Sequence, residues 1–296
     1  MTNAIASPSV RAFARAQGVD IDKLATELGR ETIAREDIIG SNNQSPTTST
    51  APGNTAYWDI DHAQFGPVTE EPMTRFAQVA AGNLAASNAL IPAVTHHDRA
   101  DMSAVEAFRN SLKSEAAERQ VKLTTLTFHV KALSSALVKF PRFNASLSVD
   151  GKTLILKNYI HIGIAVDTPH GLMVPVIRNA NQKGLWQIAA EITDLASRAQ
   201  NRKIKPEEMS GASMSISNLG AIGGTSFTPI VNPPEVAILG LTRTEIAPVW
   251  NGEKFVQTPM APLDVSYDHR VINGADAARF LSHYAGLLGE PRRMLI

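Results

Sequence analysis

The residue best suited to acid–base chemistry in this sequence is His269, within the stretch SYDHRVING at residues 266–274. An apolar, strand-like run leads into this stretch, and a helical pattern leads out of it. Because imidazole titrates near neutral pH, a histidine at a strand end beside polar groups can act as a general base. Asn273 follows four residues later, where its side chain can orient the loop or cap the next helix. From the residues alone, an exposed loop histidine before a capping Asn-Gly turn remains an alternative.

A second candidate is Ser217, in the stretch SMSISNLG at residues 213–220, which Gly223 and Gly224 follow. The pattern predicts a strand that ends in a glycine-rich turn. Such a turn can expose the serine hydroxyl or bind an anion through backbone amides. There is no G-x-S-x-G motif and no P-loop lysine, so neither a serine hydrolase nor a nucleoside triphosphatase is supported. An ordinary loop at the end of a strand is the alternative.

Metal and thiol chemistry are not favoured by the sequence. His96, His97 and Asp98 are adjacent, but neighbouring side chains of a strand point to opposite faces and therefore chelate a metal poorly. No third ligand stands at a suitable spacing, so the sequence predicts no metal site. The absence of cysteine excludes disulfides, thiolate ligands and a protein thiol nucleophile.

The elements that must position these residues alternate irregularly between helix and strand across residues 57–296, which predicts an α/β sandwich with a mixed sheet. Apolar periodicity predicts helices over residues 73–90, 102–117, 124–140, 185–202 and 274–288. Strands are predicted within residues 145–166, around an Asp150-Gly151 hairpin turn, and over 212–217, 236–241 and 263–267. An Asn251-Gly252 turn is predicted before Phe255.

The first 56 residues have a different organisation. Residues 41–56 are rich in Ser, Thr, Asn and Pro and lack apolar periodicity, which predicts a flexible linker. Residues 1–40 predict a small all-helical module, with a helix start at Ser7-Pro8 and a second apolar stripe over residues 21–28. So small a module has little stability of its own, and such modules bind partners more often than they catalyse.

Composition narrows the class of protein further. The chain has 296 residues with 28 Lys+Arg and 28 Asp+Glu, so its net charge is zero and no basic surplus points to nucleic acid. Hydrophobic residues make up 44%, which is enough for a core. No apolar run reaches the ~18 residues of a membrane span, and the N-terminus lacks the order of a signal peptide. We therefore expect a cytoplasmic protein that binds neither nucleic acid nor membrane.

Five stretches, matched in order, resemble the acyltransferase component of 2-oxo acid dehydrogenase complexes over residues from about 57 to the C-terminus. They are PRFNAS (141–146), GLMVPV (171–176), SISNLG (215–220), NPPEVAILG (232–240) and DHRVING (268–274). The resemblance implies a chloramphenicol-acetyltransferase-like sandwich that forms homotrimers, which assemble into a larger hollow core. It also implies transfer of an acyl group between a dihydrolipoyl thioester and coenzyme A, without a metal. Residues 232–235 and 248–252, with Asn273, favour the acetyl group, as in bacterial pyruvate-complex members.

The resemblance assigns roles to the candidate residues. It implies that His269 takes the thiol proton of coenzyme A and that Ser217 donates a hydrogen bond to the oxyanion. Asn273 is expected to orient the loop and the imidazole. In family trimers this site lies at the subunit interface.

Four further residues match family positions that contact substrates. Leu172, Met173 and Pro175 match positions beside the substrate channel, and packing in the core or at an interface is their alternative. Arg109 matches an arginine near the coenzyme A phosphates, and a solvated charge on a helix is its alternative.

Residues 1–40 resemble the peripheral subunit-binding domain of the family. This implies binding of the 2-oxo acid dehydrogenase and dihydrolipoamide dehydrogenase components. Glu31-Thr32 stand where the family has Gly-Arg, and Asn273 stands where the wider family most often has Asp. No lipoyl domain is present in the sequence, so we expect the lipoyl group to come from a domain outside it. Residues 294–296 match a C-terminal turn that docks into a neighbouring trimer; folding back onto the last helix is the alternative.

Two other functions fit part of the pattern. One is a scaffold that forms the core and binds partner enzymes without catalysis, and the presence of His269 argues against it. The other is a stand-alone chloramphenicol-type acetyltransferase, and the helical module with its linker argues against that function.

Overall fold

The computed structural model describes residues 4–16, 18–28, 30, 32–34, 37–38 and 60–294. The chain divides into two compact units, Met1–Glu71 and Pro72–Ile296. The linker predicted at residues 41–56 lies outside the described residues. The boundaries predicted at residues 1–40, 41–56 and 57–296 therefore stay a prediction.

The first unit contains the two predicted helices, α1 (Pro8–Ala16) and α2 (Ile21–Leu28). Between them Gly18 has a φ of +69°, a left-handed conformation that glycine adopts without a steric penalty at a helix end. A small apolar core joins the helices to the segments around them. Its buried members are Ala4, Ala14, Ile21, Leu24, Ala25, Ile33 and Ile38.

Arg30 is the arginine that precedes the atypical Glu31-Thr32 pair. Its guanidinium forms an ion pair with Asp37, and the second carboxylate oxygen of Asp37 accepts the Ala34 N–H at 2.8 Å. Arg30 is therefore engaged within its own unit. Glu31 lies outside the described residues.

The second unit is built on one mixed sheet. Its strands are β1 (Ala93–Asp101), β2 (Ala145–Leu147), β3 (Leu154–Leu156), β4 (Ile162–Ile164), β5 (Val176–Ile177), β6 (Met214–Asn218), β7 (Ala237–Leu241), β8 (Glu245–Trp250) and β9 (Phe255–Asp268). The sheet order is β1-β9-β7-β6-β4-β5, β8 pairs with the first part of β9, and β2 and β3 form a separate hairpin. The β4–β6 and β6–β7 pairs are parallel and the others antiparallel, which confirms the predicted α/β class with a mixed sheet.

The helices of this unit follow the predictions with one correction. They are α3 (Arg75–Leu90), α4 (Ser103–Ser111), α5 (Lys113–Glu118), α6 (Thr125–Lys139), α7 (Leu185–Gln200) and α8 (Gly274–Gly289). The single helix predicted over residues 102–117 is wrong, because it is interrupted at Leu112. The φ of −94° and ψ of 4° at this residue lie in the bridge region rather than in the helical one.

Four strand segments have no counterpart in the prediction: β1, β5, β8 and the first half of β9. The sequence of β1, AVTHHDRAD, places polar residues on both faces and lacks the alternation of a half-buried strand. Its nine residues instead pair in continuous register with β9, far along the chain. A strand that forms through such long-range pairing need not show a local hydrophobic periodicity from which it could be predicted.

One face of the sheet forms the core. Met214, Ile216, Leu239, Val265 and Tyr267 are buried there in one cluster with side chains of α6 and α8. These strand segments are the apolar runs that the sequence analysis predicted as strands.

The opposite face carries small and polar residues, and we call it the polar sheet face. Ser217 on β6 is in register with Gly240 on β7, Gly240 with Asp264 on β9, and Asp264 with His97 on β1. In-register residues of adjacent strands project to the same side of a sheet. This row therefore places Ser217 and His97 on one face, three strand spacings apart.

The last described turn of the chain, Pro291–Met294, folds back onto its own unit. Met294 is buried in the same cluster as Phe280 and Leu288 of α8. For Met294 the structure thus favours packing against the last helix over docking into a neighbouring trimer. Leu295 and Ile296 lie outside the described residues.

In the part of the chain that the structure describes, no helix has both the length and the apolar character needed to span a membrane.

Candidate active site

His269 lies just beyond the end of β9, in a turn that its backbone holds firmly. Its N–H donates to the Pro92 carbonyl at 3.1 Å, and the N–H groups of Val271 and Ile272 both donate to the Asp268 carbonyl at 3.0 Å. The imidazole is exposed, and its ring centroid lies 5.9 Å from that of Tyr267. The strand-end position predicted for His269 is confirmed.

The same turn is braced by an ion pair. Asp268 is buried, and its carboxylate accepts hydrogen bonds from the Arg270 guanidinium at 2.6–3.2 Å and from the Arg270 N–H at 3.0 Å. The Arg270 guanidinium is positively charged, because arginine stays protonated in proteins. The pair therefore fixes the backbone on both sides of His269.

Asn273 caps helix α8. Its side-chain oxygen accepts the Asp276 N–H at 2.9 Å, and its φ and ψ of −93° and 165° are those of an N-cap residue. Within the described residues it makes no hydrogen bond to His269. Asn273 thus holds the end of the turn through the helix rather than contacting the imidazole.

Ser217 occupies the penultimate position of β6, between two parallel neighbours. It is half-buried, and no hydrogen bond within the described part of the chain occupies its hydroxyl. The next residue closes the turn, because the Asn218 side-chain oxygen accepts the Gly220 N–H at 2.9 Å. Gly224, with a φ of +88°, continues the turn in a conformation that favours glycine. The predicted strand and glycine-rich turn are confirmed.

The sheet does not bring Ser217 and His269 together within one chain. Ser217 is in register, through Gly240, with Asp264, and His269 follows Asp264 by five positions along the chain. At ~3.3 Å per residue this is about 16 Å along β9, besides two strand spacings of ~4.8 Å across the sheet. The His269 ring also lies 5.9 Å from the ring of Tyr267, which faces the core, whereas Ser217 is on the polar sheet face. The two side chains cannot act on the same atoms in a single copy.

The three predicted channel residues differ in exposure. Leu172 is 57% exposed and lines a mostly apolar cavity of about 430 Å³ beside α3. Met173 is half-buried, exchanges backbone hydrogen bonds with Val166 at 2.8 and 3.0 Å, and lines a neighbouring cavity of about 550 Å³. Pro175 is buried, and its carbonyl accepts the Ile164 N–H at 2.9 Å. Leu172 and Met173 are thus accessible to a ligand, and Pro175 is a packing residue in this chain.

Arg109 lies on α4 beside an acidic partner. Its Nε and Nη2 atoms both donate to one carboxylate oxygen of Glu106, at 3.1 and 2.6 Å. Glu106 in turn lines a cavity of about 530 Å³ with mixed polar and apolar walls, which Asn218 and Arg243 also line. Arg109 is therefore one residue removed from a cavity that adjoins the end of the Ser217 strand.

A buried carboxyl group contacts Ser215, two positions before Ser217 on β6, and was not singled out as a titrating group from the sequence. Glu235 is 4% exposed, and one of its oxygens accepts the Ser215 hydroxyl at 2.9 Å and the Asn232 amide at 3.3 Å. Its other oxygen is buried and has no hydrogen-bond partner among the described residues. Burial raises the pKa of Glu235 to about 7, since an ionised carboxylate is costly away from water. Only its place in the NPPE stretch could have drawn attention to it.

His129 is a second titratable group that sequence reasoning missed. It is buried in α6, with Nδ1 at 2.6 Å from the Tyr284 hydroxyl, and it lines the same cavity as Glu106. Burial lowers the pKa of His129 to about 4, so the side chain is neutral at physiological pH. Its partner in α8 identifies it as part of the helix packing.

His96 and His97 alternate along β1 as adjacent strand residues do. His97 forms a hydrogen bond with Asp264 on the polar sheet face. Across the described ranges of the chain, no three His, Asp or Glu side chains group as metal ligands do.

The sequence of this chain matches the family model for the catalytic domain of 2-oxoacid dehydrogenases acyltransferase over residues 65–296. It is 45% identical to the dihydrolipoyllysine-residue acetyltransferase component of the pyruvate dehydrogenase complex of Pseudomonas aeruginosa, over 98% of this chain and 55% of that protein. The corresponding component of Cupriavidus necator is 43% identical, with the same coverage, and that of Azotobacter vinelandii is 45% identical over 98% of this chain and 47% of that protein. The chain spans about half the length of these relatives.

Solved structures agree with the sequence matches. Azotobacter vinelandii dihydrolipoamide acetyltransferase is 50% identical, with a TM-score of 0.79 over 80% of this chain and 98% of that one. The cubic core of the pyruvate dehydrogenase multienzyme complex gives the same values. The Azotobacter study examined one serine, one histidine and one asparagine in the catalytic mechanism; the histidine follows the serine by 52 positions and the asparagine follows the histidine by four.

Proposed function

Because the chain belongs to the acyltransferase family of 2-oxoacid dehydrogenases, we propose that it transfers an acetyl group between a dihydrolipoyl thioester and coenzyme A. One observation carries the proposal. Ser217, His269 and Asn273 are separated by 52 and four positions, as are the serine, histidine and asparagine studied in the Azotobacter enzyme. The acetyl group is favoured because the relatives named above are acetyltransferase components of pyruvate dehydrogenase complexes.

The chemistry begins with a proton. A thiol with a pKa near ~8.5 is mostly protonated at neutral pH, so coenzyme A needs a base to become a nucleophile. His269 takes this proton while the sulfur attacks the acetyl carbonyl of the dihydrolipoyl thioester. When the tetrahedral intermediate collapses, the carbon–sulfur bond to the dihydrolipoyl group breaks, and His269 returns the proton to the departing thiolate. The acetyl group then resides on coenzyme A, and no covalent intermediate on the protein is needed.

The charge that develops in this reaction is placed on the former carbonyl oxygen. The unoccupied hydroxyl of Ser217 is suited to donate a hydrogen bond to that oxyanion. Asn273 acts one step further away, because its cap on α8 holds the turn that carries His269. The amide cannot neutralise an imidazolium, so its role is to orient the turn.

The separation of Ser217 and His269 has a consequence for assembly. If both act on one thioester, Ser217 must come from one copy of the chain and His269 from another. We therefore assign the active site to an interface in a homotrimer. A cubic core formed by a solved relative supports assembly of such trimers into a larger particle.

Substrate contacts are proposed for the cavities beside these elements. Leu172 and Met173 are accessible enough to contact an acyl or dithiol arm, and the buried Pro175 would hold the chain that follows them in the sheet through Ile164. Arg109 uses Nε and Nη2 for Glu106, which leaves Nη1 to bind a phosphate of coenzyme A. A lipoyl domain outside these 296 residues would deliver the dihydrolipoyl thioester.

For the first unit we propose partner binding. Residues 1–40 would hold the 2-oxo acid dehydrogenase and dihydrolipoamide dehydrogenase components, residues 41–56 would act as the linker, and residues 57–296 would catalyse. The ion pair between Arg30 and Asp37 bears on this proposal, because it partly neutralises an arginine that could contact an acidic partner.

The test is an acetyl-transfer assay with small substrates. The native chain is mixed with S-acetyldihydrolipoamide and coenzyme A, and acetyl-coenzyme A is measured by chromatography. We expect turnover well above the uncatalysed rate, without any partner enzyme. A rate equal to that of the uncatalysed reaction would contradict the proposal and favour a non-catalytic scaffold.

A further inference from the structure

We propose that His97 and Asp264 form a positioning pair that holds Phe227 as a wall beside Ser217, and so limits the size of the acyl group transferred. This inference rests on the proposed acyltransferase function. It assigns a task to a histidine that sequence analysis considered only as a metal ligand.

The centre of the arrangement is the carboxylate of Asp264, which is 1% exposed. One of its oxygens lies 2.6 Å from His97 Nδ1 and accepts the Ser226 hydroxyl at 2.9 Å. The other accepts the Phe227 N–H at 3.1 Å. A buried carboxylate is stable when several donors surround it, and here the donors come from a strand and from the segment that carries Phe227.

The carboxylate also defines the state of His97. Because an ionised carboxylate can only accept, Nδ1 of His97 carries the proton, and Nε2 is directed away from Asp264. The His97 side chain is 51% exposed and adjoins a cleft of about 360 Å³. The His97 side chain therefore contributes little packing to the core. Its main contacts are the hydrogen bond to Asp264 and the contact of the same Nδ1 with the Ser226 hydroxyl at 2.9 Å.

The segment held by Asp264 reaches Ser217 through Gly240. A β-carbon built on Gly240 would lie 2.8–2.9 Å from two atoms of the Phe227 ring, so the ring fills the space where a side chain would stand. Gly240 is the in-register neighbour of Ser217, one strand spacing of ~4.8 Å away on the same face. An acyl group whose carbonyl oxygen faces the Ser217 hydroxyl is therefore placed next to the Phe227 ring.

The position of the ring depends on the network rather than on burial alone. The backbone N–H of Phe227 and the side chain of the preceding residue, Ser226, both end on Asp264. Loss of the His97 donor leaves a buried carboxylate with fewer partners and loosens this anchor. The expected result is a larger and less defined space beside Ser217.

The experiment compares acyl groups of two sizes in the reverse reaction. The native chain and its variants transfer the acyl group of acetyl- or butyryl-coenzyme A to dihydrolipoamide, and kcat/KM is measured for each. Phe227→Ala should raise the butyryl-to-acetyl ratio by about tenfold or more, since methylene groups in a shaped pocket are discriminated to that extent. His97→Ala should raise the ratio by about three- to tenfold.

Two controls separate positioning from general damage. His97→Asn keeps a donor near the place of Nδ1 and should return the ratio to within about twofold of the native value. His96→Ala removes the adjacent histidine from the other face of β1 and should leave the ratio unchanged. General destabilisation would lower both rates together without changing their ratio.

Three results would overturn the inference. A native ratio in folded His97→Ala would show that Phe227 does not need His97; if that variant fails to fold, Ser226→Ala tests the same anchor, and a native ratio there has the same meaning. A native ratio in Phe227→Ala would remove the wall itself. If the native chain transfers neither acyl group, the proposed function fails, and this inference with it.

Discussion

The turn that carries His269 and the strand that carries Ser217 are built in different ways. The turn lies outside the sheet, and backbone hydrogen bonds, the Asp268–Arg270 pair and the cap at Asn273 fix it. Ser217 lies within the sheet, between two parallel strands, where register alone determines which way its hydroxyl faces.

Each half of the candidate site is ordered without the other. Neither Ser217 nor His269 depends on the other for its conformation, because no contact in the described part of one chain joins them. A variant in one region should therefore leave the other region intact. Loss of activity with retained structure is the signature expected in both places.

The largest effect is expected at the turn. His269→Ala should lower kcat for acetyl transfer by about 10²–10⁴-fold, because a placed base contributes that much. The side chain is exposed, so the thermal midpoint should stay close to the native one. Steady-state kinetics and differential scanning calorimetry on native, His269→Ala and the control His96→Ala measure both. Near-native turnover would remove His269 from the mechanism.

The strand should show a slightly smaller effect of a different kind. Ser217→Ala should lower kcat by roughly 10²–10³-fold, as does loss of one oxyanion donor. The KM for coenzyme A should change little, since this hydrogen bond strengthens in the transition state. If KM rose while kcat stayed constant, Ser217 would be a substrate-binding residue instead.

The strand region should also make the stability of the fold depend on pH, through Glu235, which contacts Ser215 on the Ser217 strand. The pKa of Glu235 is about 7 in the folded chain and near 4.5 ordinarily, so the folded state holds this proton more tightly. The contribution of Glu235 to the free energy of unfolding is fully present below about pH 4.5. It is lost as the pH rises through about 7, and the total loss is roughly 3 kcal/mol.

The variant Glu235→Gln cannot ionise and tests this directly. The free energy of unfolding of both proteins is measured by urea titration at pH 5 and pH 8. Between these pH values the native chain should lose stability relative to Glu235→Gln. Glu253→Gln, an exposed control, should show no such shift. Parallel pH profiles for native and Glu235→Gln would mean that Glu235 does not titrate in this range.

The smallest effect is expected at the cap. Asn273→Ala removes the acceptor for the Asp276 N–H and should cost about 1 kcal/mol of stability. Asn273→Asp keeps an acceptor and should cost little. Urea unfolding of the three proteins separates these outcomes, and equal stability of Asn273→Ala and the native chain would rule out the capping role.

Much of the fold could be predicted from local pattern. The helices α6 and α8 follow from apolar periodicity with a Pro141 stop and a Gly274 start, and β6 and β7 follow from short apolar runs. The strand β1 could not be predicted, because its residues are polar on both faces and only pairing with β9 makes them a strand.

The candidate site divides in the same way. His269 and Ser217 stand at the ends of strands that are visible in the sequence, which made them candidates from residue type and position. Their separation depends on register across β6, β7 and β9, which no local pattern contains. The contact between His97 and Asp264 joins residues 167 positions apart and is likewise a product of the fold.

Complementation between two inactive chains tests whether the active site is shared between copies. His269→Ala and Ser217→Ala chains, each nearly inactive alone, are co-expressed so that they assemble at random, and acetyl transfer is measured. If each site takes Ser217 from one copy and His269 from another, about one interface in four joins two native halves, and about a quarter of native activity should return. Activity no higher than that of either variant alone, in particles shown by mass spectrometry to contain both chains, would contradict a site shared between copies.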